Sequence, residues 1–209
     1  MIGFVGALAG AMVGAVGTYW ATVGAARRQG RDRTRAVLGA VRAYLQDEEA
    51  DGGGSSARVQ ATFRSIQELR ALLRTATASP PPPDTDLDQP MHHRLVLSFP
   101  TLTQPVWSGM LASEVGFVPP QVYLKLSELE VLASHINDTA KQCLDPALNL
   151  HRLLRALPQE VTPRQLAASP QRPELEAVLE KTTVLLEILL DLYSQRRQLR
   201  QELQRLLPA

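Results

Sequence analysis

Small and apolar residues run without a single Asp, Glu, Lys, Arg or His from Met1 to Ala26, after which charged residues set in and apolar positions recur at helical spacing to the end of the chain. As a helix, 26 residues rise about 39 Å, more than the roughly 30 Å of a bilayer's hydrocarbon core. The first segment therefore predicts a membrane-crossing helix over 1–26. A cleaved secretory signal would carry positive charge ahead of its apolar stretch. Here the arginines follow it instead: Arg27, Arg28, Arg31, Arg33, Arg35 and Arg42, against Asp32 alone. That order places the amino terminus outside and the rest of the chain in the cytoplasm, with Tyr19 and Trp20 near the inner interface.

Within the span the small residues are not scattered. Gly3, Gly10, Gly17 and Gly24 are seven apart, and Ala7, Gly14 and Ala21 each follow four later. With Gly6 they occupy an arc of about 100° on a helix, opposite Val5, Leu8, Met12, Val16, Tyr19 and Val23. Membrane helices associate where small side chains let backbones approach, as in Gly6-x-x-x-Gly10-x-x-x-Gly14. This face is expected to pack copies of the chain together.

Past the span, Val37, Leu38, Val41, Tyr44 and Leu45 continue the helical spacing, and the run Asp47–Asp51 followed by Gly52-Gly53-Gly54-Ser55-Ser56 predicts its end. Val59, Phe63, Ile66, Leu69 and Leu73 form a second stripe, so residues 27–78 read as an antiparallel helical hairpin. A linker over 79–92 follows, fixed by Pro80 to Pro83. Residues 93–157 read as a helical core segment. In it Leu95 to Phe99 is a short strand or a buried connector, Val106 to Glu114 a short helix, and Val122, Leu126, Leu129, Ala133 and Ile136 one core stripe. Asp145-Pro146 has the pattern of a helix start, and Thr162-Pro163-Arg164-Gln165 that of a capping box. A second linker spans 158–173, closed by Pro170 and Pro173.

The last segment, 174–207, predicts one long helix. Val178, Leu185, Leu192, Leu199 and Leu206 are seven apart, interleaved with Leu175, Thr182, Leu189, Arg196 and Leu203. Those two rows make either a coiled-coil seam between chains or the inner face of a bundle helix.

Composition changes this picture little. The 209 residues carry 22 basic and 21 acidic side chains, a net charge of +1, which gives no chain-wide attraction to nucleic acid. The single cysteine, Cys143, excludes an internal disulfide. His135, Cys143 and His151 are eight apart, too far for one metal on one helix, and Glu128 and Glu130 fall on different faces. No phosphate loop or nucleophile elbow occurs, Gly52-Gly53-Gly54 lacking the Lys that would follow. Neither a metal, a cofactor nor an enzymatic activity is expected. The Arg27, Arg28, Arg31, Arg33, Arg35 cluster, immediately after the span, is read as facing anionic headgroups rather than nucleic acid.

In layout the chain resembles uncharacterised bacterial single-span membrane-anchored helical proteins, on an amino-terminal span, an Arg-rich helix and the segment Trp107, Leu111, Tyr123, Ile136-Asn137 within residues 1–142. The resemblance implies no activity. The sequence thus predicts an all-α chain: a transmembrane helix, then a cytoplasmic helical bundle with a long carboxy-terminal helix. As an inner-membrane protein it would be a scaffold, adaptor or sensor whose partners are lipid, further copies of itself and a cytoplasmic protein. The alternative is a pore-forming effector assembled by the same helix, for which Thr18, Tyr19, Trp20 and Thr22 offer poor lining for water.

Overall fold

A computed structural model describes the backbone of residues 2–78, 97–102, 117–157 and 161–207, and the side chains of these residues except 2–17 and 47–53. Among the described residues the fold is all-helical. Four helices are described: α1 (Ile2–Thr77), α2 (Pro120–Arg155), α3 (Pro163–Ala168) and α4 (Arg172–Leu206). The linker 79–92 and the short helix expected over 106–114 lie outside the described residues.

The hairpin expected over 27–78 is not formed. α1 runs unbroken for 76 residues, straight through Gly52-Gly53-Gly54, a length of about 114 Å at 1.5 Å per residue. Each glycine inside a helix costs about 1 kcal/mol relative to alanine. What outweighs this is phase. Leu45 and Val59 are 14 residues apart, just under four turns, so an uninterrupted helix keeps Val41, Leu45, Val59, Thr62, Ile66, Leu69 and Leu73 on one face. All seven are buried.

α2 begins with Pro119 at its N-cap and Pro120 in its first turn. The break expected at Asp145-Pro146 is absent, and Pro146 sits inside one 36-residue helix. Its ring removes one intrahelical hydrogen bond, a cost of about 3 kcal/mol in a free helix. The core face continues across it through Ala140, Cys143, Ala147, Leu150 and Leu153, and Pro146 itself is buried there. α3 carries the expected capping box: Gln165 N–H donates to Thr162 Oγ1 at 3.2 Å, and Thr162 N–H to Gln165 Oε1 at 2.9 Å. α4 starts at Arg172, so Pro173 lies in its first turn rather than closing the linker.

Two buried clusters fix how the helices run. In one, Val41 and Leu45 of α1 meet Val122, Leu126 and Leu129 of α2 and Leu203 of α4. In the other, Ile66, Leu69 and Leu73 meet Leu150 and Leu153 of α2 and Leu175 and Leu179 of α4. Rising residue numbers in α1 thus pair with rising numbers in α2 and falling numbers in α4, so α2 is parallel to α1 and α4 antiparallel to both. A long return connection, 78–119, follows from that. Surface ion pairs Arg70–Glu180 (3.6 Å), Lys125–Glu202 (2.9 Å) and Arg152–Glu174 (3.2 Å) link α4 to its neighbours in the same register. Exposed pairs of this kind contribute little to stability.

Candidate functional site

The amino-terminal face comes first. Gly3, Gly6, Ala7, Gly10, Gly14 and Gly17 lie among the residues whose side chains are outside the description. Of the rest of that face, Ala21 is exposed and Gly24 has no neighbouring heavy atom within 4 Å of where a Cβ would stand. Tyr19 and Trp20, edge to face at 6.4 Å, are 66% and 64% exposed. Among the described residues no helix is long and apolar enough to cross a membrane.

The basic cluster divides in two. Arg27, Arg28, Arg31 and Arg35 are exposed and share an arc of about 100°. Arg33 lies on the other side of α1, stacked over the Phe117 ring at 5.4 Å, where it ties the approach to α2 onto α1.

In α4 the two expected rows differ in burial. Leu175, Thr182, Leu189, Arg196 and Leu203 are buried as one heptad row. The second buried row is not Val178, Leu185, Leu192, Leu199, Leu206 but its neighbour: Leu179, Leu186, Tyr193 and Leu207. Val178 is just buried at 9% exposure, Leu185, Leu192 and Leu199 are half-buried, and Leu206 is 39% exposed. Both rows fit a heptad, since one lies three and the other four residues from Leu175. The row that faces inward carries Tyr193, and the more uniformly apolar row is left at the edge of the bundle.

The carboxy-terminal part of that row, Leu199 and Leu206, borders an open groove between α2 and α4. Leu124, Val131 and Leu132 line it from α2 and Leu199 from α4, with Lys125, Glu128 and Glu202 along its rim. Leu206 extends it at one end. Leu124 and Val131 are 60% and 55% exposed.

Between α1 and α4 lies a polar layer that the sequence did not announce. Arg196 is 3% exposed, and burial, with Arg200 adjacent, pulls its guanidinium down to about 10 despite the opposing effect of Tyr44. Burial raises the Tyr44 hydroxyl. Arg200 Nη2 donates to the Leu45 carbonyl, joining α4 to α1.

The most structured polar arrangement surrounds residues 97–102. Asn137 of α2 takes both backbone groups of Leu102: Leu102 N–H donates to Oδ1 at 2.7 Å, and Nδ2 donates to the Leu102 carbonyl at 2.9 Å. On α1, Thr62 Oγ1 accepts from Ser98 N–H at 3.2 Å and donates to the Arg58 carbonyl at 3.0 Å. Tyr193 Oη of α4 donates to the Pro100 carbonyl at 3.3 Å. Leu97, Phe99 and Leu102 pack on the core. Of the two readings for Leu95–Phe99, the described part, from Leu97 on, is a half-buried connector. Asn137 was legible only as a conspicuous residue, and nothing near Thr62 in the sequence marks it.

Cys143 is fully buried, and burial pushes its thiol up to about 11. Among the described residues no group of three or more His, Cys, Asp or Glu is placed to hold a metal ion. Comparison with protein-family models, curated protein sequences and solved structures finds no match.

Proposed function

We propose that the chain is a single-pass, membrane-anchored scaffold or adaptor that self-associates through the small-residue face of its first segment and docks a protein partner on its helical bundle. The observation that carries this reading is continuity. The uncharged residues 2–26 and the bundle helix are one uninterrupted α1, so whatever holds the first segment also orients the bundle. The exposed Tyr19 and Trp20 at the end of that stretch suit a membrane interface. Four exposed arginines on one side of the next two turns suit anionic headgroups. Six arginines and one aspartate lie between Arg27 and Arg42, while the remaining chain carries 16 basic and 20 acidic residues, so attraction to an acidic surface is concentrated at this end.

For the partner, the α2–α4 groove is the favoured surface. Leu199 and Leu206 on α4, and Leu124 and Val131 on α2, which line it, are each seven apart, the spacing by which one helix packs along another. Contiguous exposed apolar surface of this kind marks interaction sites. Self-association is tested by replacing Gly10 and Gly14 with Ile and measuring oligomeric mass in detergent. Loss of the oligomer is expected, and an unchanged oligomer would refute the packing face.

A further inference from the structure

Residues 97–102, Leu-Ser-Phe-Pro-Thr-Leu, occupy their cleft as a ligand occupies a receptor. Their hydrogen bonds fall on residues 98, 100 and 102, the period of an extended chain, and each is made by a different helix: Thr62 of α1, Tyr193 of α4 and Asn137 of α2. All of these bonds go to main-chain atoms. Asn137 offers Leu102 both an acceptor and a donor, the pairing that an adjacent strand would provide. Such contacts accept any extended segment, and selectivity rests on the apolar side chains that pack inward, here Leu97, Phe99 and Leu102. At Pro100 only the carbonyl is used, so a residue without an N–H costs nothing there.

The helices that build the cleft have other means of holding together. The cluster around Leu45, Leu126 and Leu203 and the ion pairs Arg70–Glu180 and Arg152–Glu174 involve none of residues 97–102. The tether is also generous. Residues 78–96 can extend over about 63 Å, whereas the rise along α1 from Thr62 to Thr77 is about 22 Å. On the other side residues 103–119 can extend over about 56 Å, against a rise of about 26 Å along α2 from Pro120 to Asn137, so the segment can leave without pulling α1 or α2 apart.

We propose that this cleft is a binding site for an extended peptide of a partner protein, one with apolar residues at the positions of Leu97, Phe99 and Leu102 and a proline tolerated at Pro100, and that residues 97–102 are its resident, displaceable occupant. Tethering gives the resident segment an effective concentration in the millimolar range, so the site is self-blocked until a competing peptide arrives or the tether is drawn away. This cleft is distinct from the α2–α4 groove, and neither site depends on the other.

The test uses a fluorescent synthetic peptide with the sequence of residues 95–104 and the full chain in detergent. A chain whose own segment is weakened by Phe99→Ser and Leu102→Ser is expected to bind the peptide at least about tenfold more tightly than the unsubstituted chain. Adding Asn137→Ala is expected to remove about tenfold of that affinity. Equal binding by the weakened and unsubstituted chains, with circular dichroism showing the weakened chain helical, would overturn the proposal, as would indifference to Asn137→Ala. Should the weakened chain fail to fold, a peptide with a photoreactive group at the position of Phe99 is applied in excess to the unsubstituted chain. Crosslinks to α1, α2 and α4 around Thr62, Asn137 and Tyr193 support the site, and crosslinks only elsewhere contradict it.

Discussion

Asn137 joins a helix to a connector through two hydrogen bonds to one residue, so its loss leaves two half-buried backbone groups unpaired at once. Asn137→Ala is expected to destabilise the fold by about 2 kcal/mol, read from the urea midpoint. The buried thiol and phenol give a pH dependence of definite sign. Burial raises Cys143 to about 11 and Tyr193 to about 12, so the folded chain keeps both protons at pH values where the unfolded chain releases them. Their contribution to stability is intact below pH 9 and is lost as pH rises, through about 11 for Cys143 and about 12 for Tyr193. Between pH 9 and 11 the midpoint of Cys143→Ala is expected to fall less steeply than that of the unsubstituted chain. Single residues of this kind were barely legible in the sequence. The partners of Thr62 and Asn137 lie about 35 positions away, and no local pattern records a contact at that separation.

At the scale of elements, periodicity foretold which segments are helical and misjudged where they stop. Gly52-Gly53-Gly54 and Asp145-Pro146 are strong local breakers, yet both lie inside helices because the buried face continues in phase on either side. Gly54→Ala separates the two readings of α1. An added Cβ would meet only Arg58 Nη2, at an ordinary 3.7 Å. An unbroken helix is therefore expected to gain about 0.5–1 kcal/mol from it. A turn at that glycine would instead lose stability. The shifted row in α4 is a subtler case, because rows three and four residues from Leu175 are equally compatible with a heptad, and the one buried within the chain is the less uniformly apolar of the two. Leu186→Ala is expected to cost about 2–5 kcal/mol, as for a fully buried leucine, and Leu185→Ala clearly less. Equal costs would contradict the buried register.

At the scale of the whole molecule, α1 links a leading segment without charge to a bundle in which it runs parallel to α2 and antiparallel to α4. The all-α class was readable because it depends on composition and helical period. The direction in which the chain returns was not, since it depends on the connection 78–119 and on tertiary contacts at both ends of the bundle. The same α1 is why the anchor matters most to the functional reading: self-association, orientation of the groove and access to the 97–102 cleft all take their geometry from where residues 1–26 reside. Alkaline carbonate extraction of membranes from cells producing the full chain tests that location directly. The chain is expected to remain in the membrane pellet, and Val13→Lys to release it. Recovery of the unsubstituted chain in the soluble fraction would contradict the membrane anchor.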